Sequence, residues 1–256
     1  MTNVCRQLTV LITAVAAIAI SGTCQADLVW EDLMTDEQAI TNNLMLSSGG
    51  TTITFGTEVF SDSDGGTFDL VPERSANFFS FEAESTGNHT GYLEMTFDNE
   101  NDDPTDYLEL TFNFGPPVTN LQFTLLDVDG NTNFNWDDGA EIFFNGTNVK
   151  TTPGYYSIGA INFLDNEAYM DGFEAGNVGA ASDETTGNIG FNFGSEIIDT
   201  LTIRYFTTDD AVNNPASQFI GISDLQFVAA VPEPTAVSLI ALVGIAAWTR
   251  RRRTQV

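Results

Sequence analysis

The chain has 256 residues, 36 of them acidic and only 8 Lys or Arg, giving a net charge of −28. Between 27 and 231 the basic residues are Arg74, Lys150 and Arg204, against 35 acidic ones. Such a surface repels phosphate backbones, which proteins hold with Lys and Arg, so nucleic-acid binding is excluded. The charge favours solubility, divalent cations, or a salty medium that screens the repulsion.

In chain order, Arg6 precedes an uncharged, mostly apolar run over 8–20, followed by small residues with Cys24 and Ala26 before Asp27. That layout predicts a secretory signal peptide over 1–26, cleaved after Ala26; the apolar run is too short for a spanning helix. Cys5 and Cys24 both fall in the removed segment, so the exported chain is expected to hold no disulfide and to rely on its core. A short helix is expected around 32–40.

The body then reads as strands. Tyr92-Leu93-Glu94-Met95-Thr96-Phe97, Tyr107-Leu108-Glu109-Leu110-Thr111-Phe112 and Leu121-Gln122-Phe123-Thr124-Leu125 alternate apolar and polar residues, the period of a half-buried strand. Between them lie SDSDGG at 61–66, DNENDDPTD at 98–106, GPP at 115–117, DVDGN at 127–131 and TTPG at 151–154. Short strands with this punctuation predict an all-β fold, a single antiparallel β-sandwich of jelly-roll-like kind over 27–230. Phe112-Asn113-Phe114-Gly115 and Phe191-Asn192-Phe193-Gly194 echo each other, and each is expected to lead through a tight turn into the next strand. A final strand is expected over 220–228.

Material for catalysis is thin. The exported chain has no Cys, its one His is His89, and no Ser lies in a G-x-S-x-G sequence. His89, in STGNHTGY, reads as an exposed turn residue. A glycosidase needs only two carboxylates, but among so many acids proximity alone identifies none. Trp136, Tyr155, Tyr156 and Tyr169 lie near loop-like segments, where flat rings stack on sugars or pack at a sandwich rim.

The strongest ligating pattern runs from Asp127 to Asp138, with oxygen-bearing side chains at alternate positions through Asn135. Calcium takes six to eight oxygens, and alternate residues of a turn can point inward together. Thr132 stands where an EF-hand loop has Gly, Asp138 is shorter than its closing Glu, and the flanks read as strands, so this is not an EF-hand. A calcium site at the sandwich rim with Asp127, Asp129, Asn131 and Asp138 as ligands stays open. The alternative is an Asx-rich loop that satisfies its own backbone. Asp62 and Asp64 form a weaker second candidate. No other cofactor is implied.

At the C-terminal end, Val231-Pro232-Glu233-Pro234 is followed by an uncharged stretch over 236–248 and by Arg250, Arg251, Arg252 and Arg253. The prolines bar a helix from extending upstream, and the arginines hold the short apolar helix in the membrane with the acidic body outside. This order of motif, apolar helix and Arg cluster over 231–256 resembles the PEP-CTERM sorting signal of bacterial exported proteins. The resemblance implies an exosortase-like membrane enzyme as partner, processing near Pro232, Glu233 and Pro234, and a host that makes exopolysaccharide. More loosely, GPPVTNLQFTLLDVDG and FIGISDLQF are similar to the β-sandwich bodies upstream of such signals, themselves akin to carbohydrate-binding jelly rolls.

The reading is a non-enzymatic exported protein, in the membrane only through its C-terminal segment before processing, then at the cell surface or in the extracellular matrix. Its role there is structural or adhesive. The alternatives are a carbohydrate-binding module that holds polysaccharide and a glycoside hydrolase with a carboxylate pair.

Overall fold

The computed structural model describes residues 25–61, 68–71, 75–131, 133, 135–164, 173–175, 179–181 and 183–230. Residues 1–24 of the expected signal peptide, Asp62, Asp64, Tyr169, Pro232, Glu233, Pro234 and the Arg250–Arg253 cluster lie outside the described residues. Among those described, no helix is long and apolar enough to cross a membrane.

The chain is all-β. In order the strands are β1 (Gln25–Leu28), β2 (Gln38–Ala39), β3 (Met45–Ser48), β4 (Thr51–Phe60), β5 (Phe68–Asp69), β6 (Phe79–Thr86), β7 (His89–Asn99) and β8 (Tyr107–Leu126). They continue with β9 (Asp138–Phe144), β10 (Thr147–Asn148), β11 (Tyr156–Ser157), β12 (Asn162–Leu164), β13 (Phe173–Ala175), β14 (Ile189–Asn192), β15 (Ile198–Thr207), β16 (Gln218–Ile222) and β17 (Leu225–Ala229). All the strand pairings are antiparallel and join one large sheet, with the short β5–β7 pair beside it.

β8 organises the rest. Its first half pairs with β4 on one edge and β15 on the other, and β15 pairs onward with β9. Its second half pairs with β14 on one edge and with β16 and β17 on the other. The change falls at Gly115-Pro116-Pro117, where neither proline has an N–H for the ladder. Side chains pack between the two strand sets: Phe97 of β7 meets Tyr205 of β15 at 4.7 Å between ring centroids, and Phe114 of β8 meets Phe227 of β17 at 6.1 Å. This folded-over sheet is consistent with a β-sandwich.

Alternation explains the core. Leu108, Leu110, Phe112 and Phe114 of β8 are buried, as are Ile53 and Phe55 of β4 and Leu201, Ile203 and Tyr205 of β15. Register sets Phe55 and Leu201 on either side of Phe112, and Trp30 closes over Phe55 and Phe112 at 6.4 and 6.3 Å. Each such side chain contributes about 1.5–3 kcal/mol on burial. On the opposite face Arg204 lies abreast of Glu109 and Glu141 and contacts them at 2.8 and 3.4 Å. Partly exposed pairs of this kind contribute about 1 kcal/mol or less.

Several expectations are corrected. The helix expected over 32–40 is a single 3-10 turn, Trp30–Asp32, followed by the strand β2. Glu37 takes a φ of 58°, which no right-handed helix accommodates, and the Thr35 N–H donates to the Gln38 side chain, not to a helical carbonyl. The echoed FNFG segments are not two similar hairpins: β8 runs straight through Gly115, whereas Gly194 turns at a φ of 53° between β14 and β15. The final strand is broken at Ser223-Asp224 into β16 and β17. At the other end of the described residues β1 pairs with β17, with buried Ala26 opposite Phe227.

Candidate functional site

The larger concavity, about 600 Å³, lies on the outer face of the second half of β8 and its neighbours. Along this half Leu121, Phe123 and Leu125 point into the core, so Gln122 and Thr124 point out. The same alternation turns Asn192 of β14 and Gln226 of β17 outward. Register then aligns them: Gln122 has Asn192 beside it on one strand and Gln226 on the other. Three carboxamides therefore stand abreast across three strands. The next row is Thr124, Gly190 and Ser157. Gly190 keeps that row low, because a Cβ there would sit 2.9 Å from Ser157 Oγ.

The walls are braced from behind. Tyr155 packs edge-on to Phe144 and donates its hydroxyl to Glu196 Oε1 at 2.7 Å, and Tyr156 packs edge-on to Phe173. Opposite them stand His89, Ser223 and Asp224. Trp30 holds this side: its backbone N–H donates to Asp224 Oδ1 at 2.9 Å, and its Nε1 donates to the carbonyls of Ile222 and Ser223. Burial pushes the Asp224 carboxyl up; the Trp30 N–H and His89 oppose that shift, while Glu31 and Asp32 add to it.

On the floor one carboxamide is oriented by the backbone and two are not. Asn192 Oδ1 accepts from the Gly194 N–H at 3.0 Å, which fixes the amide and leaves its NH2 outward. Gln122 and Gln226 make no side-chain hydrogen bond among the described residues.

The smaller cavity, about 210 Å³, is lined by Asp127, Asp129, Asp138, Trp136, Ala180 and Gln218, among others. Here the carboxylates face protein donors. Asp129 accepts from Trp136 Nε1 at 2.9 Å and from the Ala180 N–H at 2.6 Å. Asp138 accepts from the Tyr205 hydroxyl at 2.6 Å and from the Asp129 N–H at 3.1 Å, and Asp127 accepts from Thr86 Oγ1. Burial pushes Asp129 to about 6 and neighbouring Asp137 to about 7, and raises Asp138 well above the carboxylate range. Asp137, which sequence reasoning did not single out, is raised further by Asp210, Asp129 and Asp209.

Three of the four expected calcium ligands thus share a cavity. Asn131 does not join them: its Oδ1 accepts from the N–H groups of Asn133 and Asn135, the Asx-loop alternative. Among the described residues no group of three or more His, Cys, Asp or Glu is placed to hold a metal ion. Calcium takes six to eight converging oxygens, whereas Asp127, Asp129 and Asp138 each direct carboxylate oxygen at a protein donor.

No family model, curated protein or solved structure matches the chain. The site is read from its own chemistry. Among the described residues Asp224 is the single carboxylate lining the groove, where a glycosidase uses two. His89, exposed at the start of β7, shares that lining with Ser157, Ser223 and Asp224, and Ser223 Oγ accepts from the Thr124 N–H at 2.9 Å and donates to the Asp224 carbonyl at 3.1 Å. The aromatic wall, Tyr155 and Tyr156, was legible as loop aromatics. The carboxamide row was not, because only strand register brings Gln122, Asn192 and Gln226 together.

Proposed function

We propose that this chain is an exported, non-enzymatic protein of jelly-roll-like sandwich form that holds polysaccharide in its outer-face groove. The observation that carries the reading is the row of Gln122, Asn192 and Gln226 beside two braced tyrosines. A carboxamide offers both donors and an acceptor, the complement of vicinal sugar hydroxyls, and an aromatic face receives the C–H face of a pyranose. A groove of about 600 Å³ has the size of small-ligand sites and is open enough for a chain of sugars.

The VPEP segment, apolar stretch and four arginines support delivery to the cell surface or extracellular matrix through an exosortase-like enzyme, with a passing membrane stage. In that setting an adhesive role follows from the groove.

Electrophoresis of the full chain through gels containing polysaccharide tests the reading. Retardation with no release of reducing ends is expected. Unretarded migration on every polysaccharide contradicts it, and release of reducing ends would favour the hydrolase alternative. Mass spectrometry of the native C-terminus tests delivery: an end near Pro232–Pro234 is expected, and a mature protein still ending in RRRRTQV contradicts it.

A further inference from the structure

We infer that the groove selects a glycan bearing free amino groups over neutral or acidic ones. The inference rests on the polysaccharide reading and adds to it the charge of the ligand.

Among the described residues no Lys or Arg lines the groove, and its one basic side chain, His89, stands on the Asp224 wall. Arg204, on another face, is held by Glu109 and Glu141. One wall carries the Asp224 carboxylate, with one oxygen on the Trp30 N–H and Glu31 and Asp32 adding negative potential behind it. The opposite wall carries Tyr155 with Glu196 on its hydroxyl. Between these walls the floor is made of neutral amides and hydroxyls. Low-dielectric walls focus the field of flanking carboxylates into a cleft. An ammonium group on the sugar meets that field favourably and also donates to amide oxygens of the floor. A uronate would place a second negative charge beside Asp224 in a protein that already carries −28. N-acetylation removes the charge and adds bulk while leaving the ring unchanged, so it isolates the effect.

Isothermal titration of the full chain with a β-linked glucosamine hexamer, its N-acetylated counterpart, cellohexaose and a hexagalacturonate tests this. The glucosamine hexamer is expected to bind at least about tenfold more tightly than either neutral hexamer, with the galacturonate weakest, and the margin should shrink as salt rises. Asp224→Asn narrows the margin. Gln226→Lys, which puts a cation on the floor, shifts preference toward the galacturonate.

Because any acidic protein adsorbs polycations, the deciding control is Gln122→Ala with Gln226→Ala, which leaves net charge unchanged. A loss of about tenfold or more for the glucosamine hexamer is expected; undiminished binding would show adsorption to the acidic surface and overturn the inference. If cellohexaose or the N-acetylated hexamer binds as tightly as glucosamine, and that binding needs Gln122 and Gln226, the amino-group preference falls and the polysaccharide reading stands. If no hexamer shows binding that depends on Gln122 and Gln226, both fall.

Discussion

Thr124 faces the groove and Asp127, just past the end of β8, faces the acidic cavity, yet the two regions use polar side chains in opposite ways. In the cavity the carboxylates are buried and aimed at protein donors: Trp136, Ala180, Tyr205, Thr86 and the Asp129 backbone. In the groove the carboxamides stand outward: Asn192 is fixed by the Gly194 N–H, and Gln122 and Gln226 make no side-chain hydrogen bond among the described residues. A dense cluster of acids is thus a device for tying loops together, and a sparse row of neutral amides is the better candidate for recognition. Buried polar groups left without partners cost about 1–3 kcal/mol, which favours the donors that Asp129 and Asp138 find.

The comparison is most severely tested at Trp30, which joins the core to the groove wall. Trp30→Ala is expected to cost about 3–5 kcal/mol in denaturant unfolding and to weaken glycan binding, since it removes packing against Phe55 and Phe112 as well as the two indole donor contacts behind Ser223. A loss below about 1 kcal/mol would mean that the wall is not anchored in the core.

The next effect is pH dependence in the cavity. Asp129, Asp137 and Asp138 all have carboxyls raised in the folded state, to about 6 and about 7 for the first two. A raised carboxyl binds its proton more tightly folded than unfolded. The contribution is therefore full below the ordinary value of 3.8 and is lost as pH rises through about 6–7. The melting temperature should be higher at about pH 5 than at about pH 8. Asp137→Asn, which removes the buried charge, should gain on the order of 2 kcal/mol at about pH 8, or about 4–8 °C, and little at about pH 5. A variant that melts with the wild type at both pH values would show that Asp137 is not buried as a charge.

Smaller still is the stability change in the groove. Gln122→Ala with Gln226→Ala should alter unfolding free energy by about 0.5 kcal/mol or less, because these side chains hold nothing in the fold. A loss of several kcal/mol would place them with the cavity acids as structural groups. Smallest is calcium: at millimolar concentration it should leave the melting temperature within about 1 °C, whereas a specific site would raise it by mass action.

Sequence alone carried the strand content well, because period-two alternation in β7 and β8 reflects one buried face directly. It failed where a single backbone angle decided the outcome, as at Glu37, and where the strand continued through a Gly-Pro-Pro sequence, as in β8. In the loop after β8, ligand counting identified residues that share a cavity but could not tell that Asn131 would turn to its own backbone. The groove was the least legible part. Gln122, Asn192 and Gln226 are ordinary outward residues of three strands distant in sequence, and their alignment exists only in the register.

Chemical-shift mapping by NMR of the labelled chain, titrated with the glucosamine hexamer, tests the central claim most directly. Perturbations are expected to centre on Gln122, Thr124, Asn192, Gln226, Tyr155 and Tyr156, with Asp127, Asp129 and Asp138 unmoved. Perturbations centred on the acidic cavity, or none that saturate, would contradict it.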